Sequence, residues 1–264
     1  MKNAIDQKDF EFFRNILIEA GDIALRLQHS DISITRKSDH TIVTRADVEV
    51  QEFLLDAIRS RFTGFNYIHE ENFKVGHNAI DDSTISIIID PIDGTAVYTM
   101  GLPTWSISLG IFRGYTPLYG FVYSPGCTML FHNDDTNAYL NNTPITVDPN
   151  MEIERETNLF ITPNVIKKQR ISFPGKIRNL GSTALHSSLV ANNRANRTLA
   201  YIGLAYLWDL AGAIPILLKA GGHMRYANGN EVDIHGIVNN GYLLPDNIIL
   251  YSIDSFEVFK TILQ

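Results

Sequence analysis

Ile85-Ser86-Ile87-Ile88-Ile89 runs directly into Asp90-Pro91-Ile92-Asp93-Gly94-Thr95. The apolar stretch reads as a buried strand. Two carboxylates three residues apart then leave the strand end on either side of a proline, and a Gly-Thr turn follows. Pro91 fixes its own φ and biases Asp90 toward extended backbone. Gly94 allows a sharp turn and lets backbone N–H groups approach an anion. A site that holds Mg²⁺ and grips a phosphate needs these parts: hard oxygen ligands, with N–H and hydroxyl donors beside them. The same residue types also favour an ordinary surface turn, so the rest of the chain has to arbitrate.

The chain has 264 residues, 45% hydrophobic and 19% charged, as expected of a globular protein with ample core. A net charge of −7 does not favour generic nucleic-acid binding. One cysteine, Cys127, excludes an internal disulfide framework and a cysteine-based zinc cage, and its place after Pro125-Gly126 suits a loop-edge thiol. The first ten residues are charged and lack an apolar core, so no secretory signal is expected. No apolar run is long enough for a membrane span, and a cytoplasmic enzyme is the expected class.

Phe10, Phe13, Leu17, Ala20, Ala24 and Leu27 recur at helical spacing and predict a helix over 8–28. Ala46 to Ile58 predicts a second, after a polar segment holding Lys37 and Asp39. Tyr67-Ile68-His69 reads as a short strand leading into Glu70-Glu71. From Trp105 the pattern alternates with period two, which predicts a mostly antiparallel sheet. Beyond residue 155 strands and helices alternate: a strand at 158–162, a helix at 182–191 capped by Ser182, an apolar helix at 207–220 and a last helix at 254–263. Pro215 either kinks the 207–220 helix or marks a displaced start. Residues 1–150 and 151–264 thus form two tightly packed halves of α+β and α/β character.

Four segments carry candidate chemistry: Lys37 to Asp47, Glu70-Glu71, Asp90 to Thr95, and Trp208-Asp209-Leu210-Ala211-Gly212-Ala213. Singly, each has a plain reading. Asp47 and Asp209 could complement helix N-termini, and adjacent glutamates are usually solvated. The eight histidines show no paired spacing for zinc.

Together the four segments resemble the inositol monophosphatase family. That family lies within the lithium-sensitive, Mg²⁺-dependent phosphatases that include fructose-1,6-bisphosphatases and bisphosphate nucleotidases. Its Asp-Pro-x-Asp-Gly-Thr motif matches Asp90 to Thr95, and its Trp-Asp-x-Ala-(Ala/Gly)-(Gly/Ala) motif matches Trp208 to Ala213. Glu70-Glu71 and Val43 to Asp47 match its remaining signatures in order. The resemblance implies a layered α/β/α/β/α fold, a homodimer, and hydrolysis of a small phosphate monoester without a covalent intermediate. It implies one Mg²⁺ held by Glu70, Asp90 and the Ile92 carbonyl, and a second held by Asp90, Asp93 and Asp209. A third, weaker ion would use Glu70. Thr95, hydrogen-bonded to Asp47, would orient the attacking water with help from Glu70. Asp93 and the N–H groups of Gly94 and Thr95 would meet the phosphate.

The chain departs from its relatives in two places. Inositol-preferring members carry a glutamate six residues before the helix tryptophan, where this chain has Ile202, and Asn192 to Arg197 replaces a small-residue stretch. Secondly, residues 157–208 contain seven basic residues and no acidic one. Such a block is usually a solvated face. The sharper reading sets some of these groups, chiefly Arg178, Arg194 or Arg197, against a second anionic group of the substrate, since the guanidinium fork suits phosphate, with Gly181 and Ser182 as further substrate contacts. A sugar bisphosphate or 3′-phosphoadenosine 5′-phosphate would fit; histidinol phosphate is a further alternative. A non-catalytic regulator docking RNA or an acidic protein on the basic face is the rival from another class. If Arg178 meets a second phosphate, Arg178→Ala raises KM for a bisphosphate more than for a simple monoester. Equal losses on the two would rule that contact out.

Overall fold

The structure, a computed structural model, describes residues 5–30, 32–36, 42–71, 80 and 83–264. Lys37 and Asp39 lie outside the described residues. The apolar stripe from Phe10 to Leu27 forms one face of helix α1 (Gln7–Ser30), and all six of its side chains are buried. A short antiparallel pair, β1 (Ile34–Arg36) and β2 (Ile42–Thr44), leads into α2 (Arg45–Arg61). Strands β3 (Asn66–His69) and β4 (Ile85–Asp93) follow, then the short helix α3 (Thr95–Thr99). The alternating segment becomes β5 (Ser106–Arg113), β6 (Thr116–Ser124), β7 (Met129–Asn133), β8 (Ala138–Leu140) and β9 (Thr143–Ile145). Among the described residues, β3 to β9 form one seven-stranded sheet in sequence order, antiparallel except for the β3–β4 pair.

Later come β10 (Asn158–Ile161), α4 (Pro163–Lys168), β11 (Lys176–Arg178), α5 (Thr183–Val190) and α6 (Asn193–Asn196). They are followed by β12 (Thr198–Gly203), α7 (Leu207–Ala211), α8 (Ala213–Lys219), β13 (His223–Tyr226), α9 (Ile234–Asn239), β14 (Ile248–Tyr251) and α10 (Glu257–Ile262). The second sheet has the order β11-β10-β12-β14-β13.

Three apolar cores stack these parts into α/β/α/β/α layers. α1 and α2 bury their stripes against Ile87, Ile89, Ile107 and Leu109 on one face of the first sheet. Its other face, with Ile88, Phe112 and Val122, meets α5, α7 and α8, which also cover Tyr201 and Leu250 of the second sheet. The far face of that sheet, with Leu159, Ile161 and Ile202, is covered by Val165 of α4 and by Phe259 and Ile262 of α10. Strand β4 is buried along its whole length because it has helices on both faces. That is why it reads as an unbroken apolar run.

Two expectations need correction. The 207–220 segment is two helices rather than one, and of the two alternatives at Pro215 it is the displaced start that holds. Pro215 has no N–H to give to the carbonyl of Ala211, so the ladder breaks at Gly212 and α8 starts afresh. The final helix is shorter than 254–263, beginning at Glu257. Ile202, at the position where inositol-preferring relatives carry a glutamate, is fully buried in the outer core, because alternation along β12 turns it away from the central helices.

The α7–α8 junction lies almost in van der Waals contact with the first sheet. Gly110 and Gly120 face each other across β5 and β6. A methyl at Gly110 would overlap the Ala211 carbonyl, and one at Gly120 the Gly212 carbonyl. Ser108 Oγ donates to Trp208 O at 3.2 Å and accepts from Gly212 N at 3.3 Å, which closes the contact. Gly120→Ala is therefore expected to lose about 1–3 kcal/mol of stability by overpacking. Urea unfolding reads this directly, and a loss under about 0.5 kcal/mol, the scale of surface changes, would contradict the close approach.

Candidate active site

Strand β4 does not end at Ile89, as its apolar run suggested, but continues through Asp93. Its pairing with β5 becomes irregular between Asp90 and Asp93. Pro91 sits in that irregular stretch, where its missing N–H costs no ladder bond. The bend brings both aspartates to one end of the sheet. Ile92 N donates to Asp90 Oδ1 at 3.0 Å, which fixes the first carboxylate against its own backbone. The chain then turns at Gly94, whose φ of +92° suits glycine, into the first turn of α3. The first N–H groups of that helix have no acceptor within it.

Asp209 reaches the same place from the opposite layer. It is the third residue of α7, and its Oδ2 accepts from Tyr206 N at 2.8 Å. The close approach at Gly110 and Gly120 brings this helix start to the end of β4. Asp90, Asp93 and Asp209 each offer a carboxylate oxygen within 4.8 Å of the others. Glu70, just beyond β3, is near enough to raise the pKa of both Asp90 and Asp209. Its N–H donates to Ile89 O at 3.2 Å. Glu71 is buried beside it, its backbone clamped by the Gln51 amide: N to Oε1 at 3.1 Å and O to Nε2 at 3.2 Å.

Burial, followed by the neighbouring carboxylates, drives Asp90 and Asp209 well above the ordinary carboxylate range. Burial pushes Asp93 up to about 6 against several hydrogen bonds that favour its anion. A donor set of oxygens alone, crowded and repelling, fits a hard divalent cation such as Mg²⁺ and would be relieved by one.

Asp47 and Thr95 form a second unit beside the cluster. Asp47 completes a capping box at the start of α2, its Oδ2 accepting from Thr44 N at 2.7 Å and Thr44 Oγ1 at 2.6 Å. Its other oxygen, Oδ1, lies 3.2 Å from Thr95 Oγ1, which is also 3.1 Å from Ile92 O. Burial raises Asp47 to about 6. The helix-capping and site readings of Asp47 are thus compatible, because its two oxygens serve different partners.

Ser182 and Ser106 were not read from the sequence as neighbours of Asp93. Ser182 Oγ donates to Asp93 Oδ2, lies 2.9 Å from Ser106 Oγ, and accepts from Leu185 N at 3.0 Å as the cap of α5. Ala184 N adds a bond of 2.7 Å to the same Asp93 oxygen. One oxygen of Asp93 is thereby saturated by the start of α5. A signal for this existed: Ser106 and Ser108 alternate within an apolar strand, and both face the central helices. Gly181 packs against the turn at Gly94, where a Cβ on Gly94 would lie 3.1 Å from Gly181 O.

The arginines lie differently. Arg178 is exposed on the edge strand β11, with Nε donating to Asn158 Oδ1 at 2.7 Å. Arg197 donates to Glu152 O at 3.1 Å and pairs with Glu154 at 3.1 Å. Lys176 pairs with Glu156. Two of the seven basic residues are thus matched by glutamates just upstream of the block, as on a solvated face.

A model of the inositol monophosphatase family matches residues 6–250. The chain belongs to that family. It is 30% identical over 231 residues to inositol monophosphatase 1 of Solanum lycopersicum, covering 81% of this chain and 83% of the relative. It is 30% identical over 218 residues to the fructose-1,6-bisphosphatase/inositol-1-monophosphatase of Thermotoga maritima, covering 79% and 81%. Among solved structures, the Thermotoga maritima IMPase superposes with a TM-score of 0.80 at 26% identity, over 97% of each chain. An IMPase/NADP phosphatase complexed with Mg²⁺ and phosphate has the same fold, with a TM-score of 0.80 at 18% identity over 97% and 95% of the chains. Members of the family are phosphoric monoester hydrolases that use a divalent metal. Among the described residues no helix is long and apolar enough to cross a membrane.

Without metal, the raised carboxylates bind more protons folded than unfolded, so their contribution to stability falls as pH rises from 3.8 through about 6. In EDTA, Asp93→Asn should therefore match the parent below that window and melt at higher temperature above it. Mg²⁺ should stabilise the parent more as pH rises, and melting curves that keep the two proteins parallel throughout would refute the electrostatic account.

Proposed function

We propose that this chain hydrolyses a small phosphate monoester with two Mg²⁺ ions, joined by a third, weaker one, at the end of β4. The observation that carries the reading is the meeting of Asp90, Asp93 and Asp209 within 4.8 Å, beside the Asp47–Thr95 pair. Glu70, Asp90 and the Ile92 carbonyl would hold one ion, and Asp90, Asp93 and Asp209 another, with Glu70 also serving the third. When bound, the ions supply Lewis-acid polarisation of the phosphate and a lowered pKa for the attacking water.

The chain's own groups do the positioning. Asp47 Oδ1 accepts the Thr95 hydroxyl proton, which turns the lone pairs of Thr95 Oγ1 outward to orient a water, with Glu70 as its second partner. Asp47, with a pKa of about 6, is largely ionised at neutral pH and can play this acceptor role. The N–H groups of Gly94 and Thr95, at the start of α3, would hold the phosphate oxygens as charge builds on them. The water oxygen bonds to phosphorus as it gives up a proton, the P–O ester bond breaks, and the departing alkoxide takes up a proton from solvent, so that one water is consumed and alcohol and inorganic phosphate are released. No protein side chain is phosphorylated.

In this reading residues 1–150 supply most ligands, and residues 151–264 supply Asp209 and the wall at Gly181, behind which the buried Ser182 holds Asp93 in place. The wall can meet the organic part of the substrate. Of the three arginines, Arg178 is kept for a second phosphate: its Nε meets only the neutral Asn158 amide, whereas Arg197 is charge-paired with Glu154 and Arg194 is held by Thr146. A cytoplasmic homodimer with lithium sensitivity completes the proposal, carried by family membership alone.

The test is phosphate release with Mg²⁺ from inositol 1-phosphate, fructose 1,6-bisphosphate, 3′-phosphoadenosine 5′-phosphate and histidinol phosphate. At least one should turn over, and Asp93→Asn should cut its kcat/KM by about a hundredfold or more, equivalent to ~2.7 kcal/mol of transition-state stabilisation. Full activity in Asp93→Asn would remove the carboxylate cluster from the chemistry.

A further inference from the structure

Asn179 to Ser182 is the turn that brings the second half of the chain up to Gly94, where a Cβ on Gly94 would lie 3.1 Å from Gly181 O. Gly181 also lies against α3, and a Cβ on it would overlap the Val97 side chain. Asn179 and Gly181 are exposed, so the turn has little apolar burial of its own to fix it. Polar contacts set its place instead. Asn179 Nδ2 donates to Ile161 O at 3.1 Å, and Asn179 Oδ1 accepts from Gly181 N at 2.9 Å. Thr104 Oγ1 donates to Leu180 O. The N–H of Leu180 goes to a side chain, donating to His186 Nε2 at 2.6 Å.

His186 stands one turn into α5 and is only 2% exposed. Its ring lies between Phe160 of β10 and Tyr201 of β12, with centroids 4.6 Å and 5.9 Å away and planes tilted by 21° and 22°. β10 and β12 are neighbours in the second sheet, so the ring takes its orientation from that sheet rather than from the turn. Its ring meets Leu180 rather than any carboxylate of the cluster. Burial holds its pKa down to about 3, which keeps the ring neutral at neutral pH. A neutral ring that accepts at Nε2 carries its proton on Nδ1. The Leu180 N–H is thus tied to the second sheet through one lone pair.

We propose that His186 is a positioning residue for substrate binding: its ring ties the Asn179–Ser182 turn to the second sheet and so holds the wall at Gly181 in a fixed place beside the Gly94 turn. This rests on the reaction proposed above. The wall meets the organic part of the ester before and during P–O cleavage alike, so the effect falls on KM rather than on kcat. Asp93 keeps its own donors, Ser182 Oγ and Ala184 N, where the turn joins α5, so the carboxylate cluster does not depend on His186.

Two substitutions separate the hydrogen bond from the packing. His186→Phe keeps a flat ring between Phe160 and Tyr201 and removes the acceptor. His186→Gln loses the ring, but its amide oxygen can stand where Nε2 stood. With saturating Mg²⁺ and the best of the four phosphate esters named above, His186→Phe should raise KM about fivefold or more and change kcat by less than about twofold. His186→Gln should keep KM within about twofold of the parent's, whichever variant melts lower. A packing role alone gives the reverse order, with His186→Gln the more impaired; that order, or an unchanged KM in His186→Phe, overturns the link to substrate binding. Two further readouts need no turnover. At neutral pH the ¹⁵N-histidine spectrum of the parent should show His186, identified by its loss in both variants, as the Nδ1–H tautomer. Exchange of the Leu180 amide with solvent deuterium should be about tenfold faster or more in His186→Phe and stay slow in His186→Gln. An Nε2–H tautomer in the parent, or equal exchange in all three proteins, overturns the clamp itself whatever becomes of the reaction. If both signs of the clamp hold and none of the four esters turns over, the proposed reaction has failed and the substrate role of His186 falls with it.

Discussion

Asp90, Asp93 and Asp209 repel one another in a place with little water to screen them, and much of the nearby structure exists to hold them there. Each is fixed by a hydrogen bond from a different element: Ile92 N for Asp90, the Ser182 and Ala184 donors of α5 for Asp93, and Tyr206 N for Asp209. Removing any one clamp would let its carboxylate swing away toward water, because separation lowers the repulsion. The fold stores this electrostatic cost in a preformed set of oxygens, of the kind the proposed divalent ions would meet, and the charged state of such a set depends on both metal and pH.

That arrangement depends on how closely two layers can approach. The start of α7 reaches the end of β4 because Gly110 and Gly120 offer no side chains to the α7–α8 junction. The break at Gly212 serves the same contact, since its N–H turns to Ser108 instead of continuing one helix. On the other flank, Gly94 and Gly181 let the turn after β4 meet the turn before α5. Small residues therefore decide the site as much as acidic ones do, although they carry no chemistry themselves.

Groups that serve two ends recur throughout. Asp47 caps α2 with one oxygen and meets Thr95 with the other. Ser182 caps α5 and ties down Asp93. Asp209 caps α7 while joining the cluster. A capping bond orients a carboxylate at little cost, because the N–H groups at a helix start need acceptors in any case. The helix-cap reading and the chemical reading of such residues are thus two halves of one arrangement.

The sequence by itself determined the local facts: the amphipathic α1, the buried β4, the antiparallel run after Trp105, and the four acidic segments. These follow from periodicity and residue type, which act over a few residues. It also placed the family, because the motifs recur in order along one chain. Tertiary structure alone decided which partners each carboxylate oxygen meets, that Ser106 and Ser182 meet at Asp93, and that Ile202 points into the outer core. It also decided that Arg197 is engaged by Glu154. Those outcomes depend on contacts between residues that are dozens of positions apart. Such contacts are set by the angle and separation of packed layers, which no local pattern encodes.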